Sequence, residues 1–237
     1  MNTVQKVAIV TGASRGIGAA LVPAYRELGY AVAATARSLE ESSDPDVLTV
    51  SGDVAEPGVG ARIVDATLSR FGRIDTLVNN AGVFVAKPFT DYTDEDYDLV
   101  TGVNLRGFFE TSRSAVAAML SRDGGGHVVN LSTSLVDHAS SQAPSALASL
   151  TKGGLNAVTR ALAIEYAARG IRVNTVALGV IRTPMHPPET YEGLAASHPL
   201  GRMGEIDDVV NAIVYLENAP FVTGETLHVD GGQSAGR

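Results

Sequence analysis

Short apolar runs, mostly β-branched, alternate along this chain with longer stretches in which apolar positions recur every three or four residues. Residues 7–10, 31–35, 47–50, 74–78, 128–131 and 171–176 are of the first kind. Being apolar at successive positions, they read as strands buried on both faces. Helices are predicted between them over 16–28, 59–70, 94–120, 144–169 and 205–217. Gly29 supplies a stop signal for the first helix. Thr93 and Asp96 have capping-box spacing at the start of the third, with Asp in place of the usual Glu or Gln. A short last strand is predicted near 225–229. Strands separated by helices imply an α/β fold, a doubly wound parallel sheet with right-handed crossovers and helices on both faces.

Two stretches break this rhythm. Asp123-Gly-Gly-Gly126 reads as a flexible connection before a strand, and residues 183–199 carry Pro184, Pro187 and Pro188 together with His186, Tyr191 and His198. A proline-rich insert late in an α/β domain reads as a lid or substrate loop. With 237 residues and no internal repeat, a single domain over 1–237 is expected. Hydrophobic residues at 45% are enough for a sizeable core. The net charge of −8, with no run of basic residues, argues against nucleic acid and membrane as partners. The absence of cysteine excludes disulfides, thiolate catalysis and cysteine-ligated metal, and no metal site is expected. The apolar start at 7–10 is too short for a signal peptide, and no run of 18 apolar residues occurs, so a soluble, cytoplasmic location is expected.

The first strand becomes the first helix through Thr11-Gly-Ala-Ser-Arg-Gly-Ile-Gly18. Glycines there let backbone N–H groups approach a pyrophosphate, and the helix N-terminus adds partial positive charge. A mere tight turn is the bland alternative, weakened by the strand before and the helix after. The second strand ends in Thr35-Ala-Arg37, with no acid until Glu40. An acid at that place would bond a ribose 2′-OH and repel a 2′-phosphate. Arg37 and Arg15 would instead grip the phosphate with forked, charge-assisted bonds, which favours NADP(H) as cofactor.

The Gly-x-x-x-Gly-x-Gly spacing, Asp53-Val54, Asn79-Asn-Ala-Gly82, Asn104, Val128-Val-Asn-Leu-Ser-Thr-Ser134, Lys152-Gly-Gly-Leu155, Arg172-Val-Asn174 and Val229-Asp-Gly-Gly232 follow one another in order. In this set the chain resembles the short-chain dehydrogenase/reductase family over nearly its whole length. The resemblance implies a Rossmann-type fold, and cofactor contacts from Gly12, Ser14, Arg15, Gly16, Ile17 and Gly18 in the turn. It implies further contacts from Arg37, from Asp53 and Val54 at the adenine, and from Asn80, Ala81 and Gly82 at the ribose. Ile181 would also contact the cofactor, with Thr183 reaching the pyrophosphate and the carboxamide end and Lys152 on the nicotinamide ribose. It also implies a homotetramer built partly from the helices at 94–120 and 144–169.

The family's catalytic set is Asn, Ser, Tyr and Lys, and the resemblance assigns Asn104, a hydroxyl from Thr133 or Ser134, and Lys152. The family tyrosine stands four residues before the lysine, where this chain has Ala148, and no tyrosine occurs between Tyr97 and Tyr166. Leu178 stands where the family usually has proline. A general acid accelerates by about 10²–10⁴-fold, so the proton must come from elsewhere or the substrate must need little help. Lys152, His138, His186, Tyr191 and His198 are candidate donors, and Ser145 and Ser149 could hold a water at the vacant place. The expected activity is reduction of a small carbonyl, quinone or imine-type substrate by NADP(H). The alternatives are a catalytically silent NADP(H)-binding sensor or partner subunit, and a lyase or isomerase on the same fold.

Overall fold

In the computed structural model, which describes residues 4–236, seven parallel strands form one sheet in the order β3-β2-β1-β4-β5-β6-β7. The strands are β1 (Val7–Thr11), β2 (Ala31–Ala36), β3 (Val47–Ser51), β4 (Thr76–Asn79), β5 (Gly126–Thr133), β6 (Ile171–Leu178) and β7 (Thr226–Val229). Helices α1 (Gly16–Glu27), α2 (Val59–Phe71), α3 (Asp94–Thr101), α4 (Phe108–Leu120), α5 (Ala146–Tyr166), α6 (Tyr191–Ala195) and α7 (Ile206–Glu217) complete the regular structure. This is the Rossmann-type α/β fold expected. Among the described residues, no helix is long and apolar enough to cross a membrane.

Alternate residues of each central strand enter opposite cores, which is why the strands read as unbroken apolar runs. Val10, Val32, Val78 and Val129 pack with Leu21 and Tyr25 of α1 and Ile213 and Leu216 of α7. Ile9, Leu77, Val128 and Val173 face the other way, onto Ile63 of α2, Val116 and Met119 of α4 and Ala163 of α5. A polar ladder is embedded in this second side. The Asn79 amide donates to Asn130 Oδ1 and Ser112 Oγ, both at 2.9 Å. Asn130 donates in turn to Thr159 Oγ1 at 2.9 Å, which lies 2.7 Å from the Thr175 hydroxyl. With every member paired, the hydrogen bonds of the ladder offset the cost of burying these groups while tying β4, β5 and β6 to α4 and α5.

Two expected elements differ. The predicted helix over 94–120 is helical throughout but not uniformly α, because a π-helical turn at Gly102–Gly107 is inserted between α3 and α4. The capping box at its start is present, Thr93 Oγ1 accepting from Asp96 N–H and the Asp96 carboxylate accepting from Thr93 N–H. The proline-rich stretch 183–199 is not wholly irregular. A 3₁₀ turn at Pro188–Thr190, with proline at its first position where a missing N–H costs nothing, leads into α6.

At the N-terminal ends of the strands, the Glu217 carboxylate accepts from Tyr30 (2.8 Å), Tyr25 (3.2 Å), Thr76 (3.1 Å) and His127 Nδ1 (3.0 Å). Burial opposes its charge, but these donors outweigh burial and hold its pKa well below the usual carboxylate range. Burial also lowers the His127 pKa, and Nε2 accepts from the Asn174 amide at 3.1 Å, so the ring is neutral with its proton on Nδ1. Both shifts act in the same direction with pH. The unfolded chain takes up a proton on His127 below its ordinary 6.5 and on Glu217 below its ordinary 4.5, where the native state does not. Stability is therefore expected to fall on acidification from about pH 6.5 downward, read as the urea midpoint against pH. Glu217→Ala, which strands four donors, is expected to cost about 3–5 kcal/mol at neutral pH and to flatten that dependence.

Candidate active site

The strand order reverses between β1, which continues toward β2, and β4, which continues toward β5. At such a switch point the two chains leave the sheet in opposite directions and open a crevice beyond the strand ends. Here the crevice is a groove of about 380 Å³. Thr11 closes its floor. Its hydroxyl accepts from Asn80 N–H and Ala81 N–H, each at 3.0 Å, and donates to the Val78 carbonyl at 3.3 Å. The Asn80 side-chain amide returns to the Thr11 carbonyl at 2.8 Å and the Gly12 carbonyl at 3.1 Å. Two glycines make this clasp possible. Gly12 has φ +69, and a Cβ on Gly18 would stand 2.2 Å from the Gly12 carbonyl oxygen and 2.5 Å from Asn80 Nδ2.

Helix α1 begins at the groove with no side-chain cap and no acidic residue in its first turn, so its N-terminal end faces the groove with its partial positive charge uncompensated. Ser14, Arg15, Gly16 and Ile17 line that end, and Arg37 with Ser38 the rim beyond β2. Among the described residues neither Arg15 nor Arg37 makes an ion pair, whereas Arg26, Arg73 and Arg122 are all bound to carboxylates. Asp53 and Val54 form a third wall, with one Asp53 oxygen accepting from Ala55 N–H at 2.9 Å. Asn80, Ala81 and Gly82 form the fourth, and Thr183, Pro184 and Met185 cover the far end. A glycine-lined cleft with an open helix N-terminus and two uncommitted guanidinium groups fits a dinucleotide with an added phosphate.

Of the residues expected at a cofactor site, Gly18, Lys152 and Ile181 do not line the groove. Ile181 is buried in the core and bridges to Gly204, while Gly18 acts by letting α1 approach the turn. Ala36, Ser38, Gly52, Leu99 and Val103 line it without having been expected. Ser38 follows Arg37 directly and was findable by position. Leu99 and Val103 were not, because their place depends on how α3 and the π-helical turn dock against the groove.

Behind Gly82, outside the residues that line the groove, stand Lys152 and Asn104. A Cβ on Gly82 would lie 3.2 Å from Lys152 Nζ and 3.5 Å from Asn104 Oδ1. The π-helical turn carries Asn104, which is buried and fixed by Val83: Oδ1 accepts from Val83 N–H and Nδ2 donates to its carbonyl, both at 3.0 Å. Nδ2 also donates to Thr151 Oγ1 at 3.2 Å, tying the turn to α5. Lys152 donates to the Leu131 carbonyl at 2.8 Å, and no carboxylate stands within ion-pair distance among the described residues. Desolvation by burial lowers its pKa from 10.5 to about 8. Ala148, one helical turn earlier, is 3% exposed and bears no titratable group.

The two candidate hydroxyls part company. Ser134 is buried, with its Oγ donating to Gln233 Oε1 at 2.6 Å, whereas Thr133 is partly exposed and its Oγ1 accepts from Leu135 N–H at 3.3 Å. Among the other candidate donors, His198 is held at both ring nitrogens, Nε2 accepting from Val180 N–H and Nδ1 bonding the Leu194 carbonyl, each at 3.0 Å. Tyr191 lies beneath the Arg182 guanidinium at 5.1 Å. Burial lowers the pKa of His186.

A family model described as Enoyl-(Acyl carrier protein) reductase matches residues 12–234. The chain is 35% identical to 3beta-hydroxysteroid dehydrogenase 1 of Eggerthella lenta, over 97% of this chain and 94% of that protein. Among solved structures it is similar to a short-chain type dehydrogenase/reductase from Mycobacterium marinum, with TM-score 0.91, 29% identity and coverage of 98% and 97% of the two chains. It is also similar to a blue fluorescent protein from a metagenomic library in complex with NADPH, with TM-score 0.88, 33% identity and coverage of 99% and 100%.

The Thr11 clasp carries a stability prediction. Thr11→Val keeps the shape but leaves the half-buried Ala81 N–H without its acceptor, Asn80 N–H keeping the Val78 carbonyl at 3.1 Å, and is expected to lower the unfolding free energy by about 1 kcal/mol in urea denaturation.

Proposed function

The chain belongs to the short-chain dehydrogenase/reductase family, and from that premise we propose that it reduces a small carbonyl, quinone or imine-type substrate with Lys152 as the proton donor. It is an NADP(H)-dependent oxidoreductase acting on small molecules. Bound in the groove, the cofactor supplies the hydride. The observation that carries the finer reading is the meeting of Lys152 Nζ and Asn104 Oδ1 at Gly82, beside a position, Ala148, that offers no acid.

Each residue has a role in this reading. Arg15 and Arg37 take the 2′-phosphate by forked bonds, and the α1 N-terminus takes the pyrophosphate. Asp53 and Val54 receive the adenine, and Asn80, Ala81 and Gly82 the adjoining ribose. Thr183 closes over the carboxamide end. Thr133 polarises the substrate oxygen, since the Ser134 hydroxyl is already committed to Gln233. The Lys152 ammonium passes one proton from Nζ to that oxygen, then recovers a proton from water as the neutral amine. A pKa of about 8 suits this work, because a charged ammonium predominates at neutral pH yet gives up its proton readily. Asn104 holds the π-helical turn against α5 through Thr151. The exposed Phe109 of α4 and the exposed Leu150 and Ile164 of α5 support a homotetramer paired through these helices.

Lys152→Ala is expected to lower kcat/KM for NADPH-dependent reduction of diacetyl about 10²–10⁴-fold. The parent's rate should fall above an apparent pKa of about 8, since the protonated amine is the active form. A pH-independent rate up to pH 10 in the parent would overturn the assignment of the proton. NADPH binding without turnover of diketones, quinones or cyclic imines would make the protein a nucleotide-binding partner instead. Arg37→Ala is expected to raise KM for NADPH about tenfold or more while leaving that for NADH little changed, measured by initial rates with each cofactor.

A further inference from the structure

The C-terminal turn after β7 packs against the end of β5, beside Thr133. Asp230 shapes it by accepting from Gly232 N–H at 3.0 Å and Ser234 N–H at 2.8 Å. This turn presents the buried Gln233 to two segments at once. Gln233 Oε1 accepts from the Ser134 hydroxyl at 2.6 Å, and Gln233 Nε2 donates to Ser197 Oγ at 3.4 Å. Ser134 directly follows Thr133, and its carbonyl accepts from Asp137 N–H and His138 N–H, so it sets the 3₁₀ turn at Ser134–Val136. Ser197 and His198 end the stretch whose opening residues, Thr183 to Met185, cover the groove.

The same end of that stretch is pinned by tight packing. His198 is buried and joined to Val180 N–H, and Leu200 N–H donates to the Gly231 carbonyl at 3.1 Å. A Cβ on Gly179 would fall 2.8 Å from both Asp230 Cα and His198 Nε2. Residues 186–193 between the two ends are mostly exposed. The stretch is thus anchored at its closing end and exposed in its middle, and the anchor runs through Gln233 to the residue beside Thr133.

We propose that Gln233 is a positioning residue, its amide setting the Thr133 hydroxyl and the closing end of the 183–199 stretch in fixed relation to each other. This rests on the reading that Thr133 and that stretch address the substrate. The amide is suited to the task because one planar group accepts on one side and donates on the other. A carboxylate would keep the bond from Ser134, and an aliphatic side chain would keep neither.

The test compares the parent with Gln233→Leu, Gln233→Glu and Ser134→Ala by hydrogen exchange of the NADPH-free protein, with kinetics on diacetyl alongside. Gln233→Leu should speed exchange in both 134–138 and 194–200 while residues 7–19 keep the parent's rates, which also verifies the fold. It should lower kcat about ten- to hundredfold with KM for NADPH unchanged, since misplaced groups cost rate rather than cofactor binding. Gln233→Glu should restore most of that loss, and Ser134→Ala should add little on top of Gln233→Leu. Faster exchange confined to 230–236, or spread evenly through the sheet, would overturn the proposal. So would a raised KM for NADPH with unchanged kcat. A parent inert toward diacetyl would count against the oxidoreductase reading, and the exchange pattern would still decide the role of Gln233.

Discussion

The clasp between Thr11 and Asn80 is the interaction on which the rest of the site depends. A parallel sheet whose order reverses must part its chain at the switch point, and the two strand ends there have backbone groups with no ladder partner. The Thr11 hydroxyl and the Asn80 amide satisfy those groups and hold the two turns together. With the floor closed in this way, Gly12 and Gly18 can bring α1 close enough for its N-terminus to face the groove. A larger side chain at either glycine would push the helix away and take its partial charge out of reach of an anion.

Polar groups are buried at both ends of the sheet, to different ends. Around Glu217, four donors converge on one carboxylate and leave nothing uncommitted, which makes that end rigid and sensitive to acid. Around Lys152, burial is accompanied by a single carbonyl acceptor and no counter-charge, which leaves the ammonium poised to lose a proton. A carboxylate beside Lys152 would have held its pKa up and suited anchoring over proton transfer. Desolvation alone pushes the other way.

Much of the fold was legible along the chain, because strands buried on both faces and amphipathic helices leave periodicities that local sequence must carry. Every expected strand is present, with ends moved by a few residues, as at β4, expected over 74–78 and found at Thr76–Asn79. The glycine turn, Arg37, Asp53 and Asn80 were legible because a backbone that must approach closely, or a charge that must face an anion, restricts residue type at a known strand end. Ile181, which the resemblance implies near the cofactor, turns its apolar side chain into the core. The π-helical turn between α3 and α4 was not legible, because Gly102–Gly107 reads as ordinary helix by pattern and the turn accompanies the docking of Asn104 on Val83 and Thr151.

The sequence by itself determined the order of elements, the parallel sheet, the glycine-rich turn and the lack of a tyrosine before Lys152, all of which rest on local residue types and their spacing. Only the tertiary structure decided which of Thr133 and Ser134 is committed, that His198 is held at both nitrogens, and that Gln233 reaches back to the end of β5. Ser134 and Gln233 are 99 positions apart, and their partnership exists because parallel strands bring all their C-terminal ends to one edge of the sheet. Hydrogen-bond partners and desolvation are properties of that shared edge, and no window along the chain contains it.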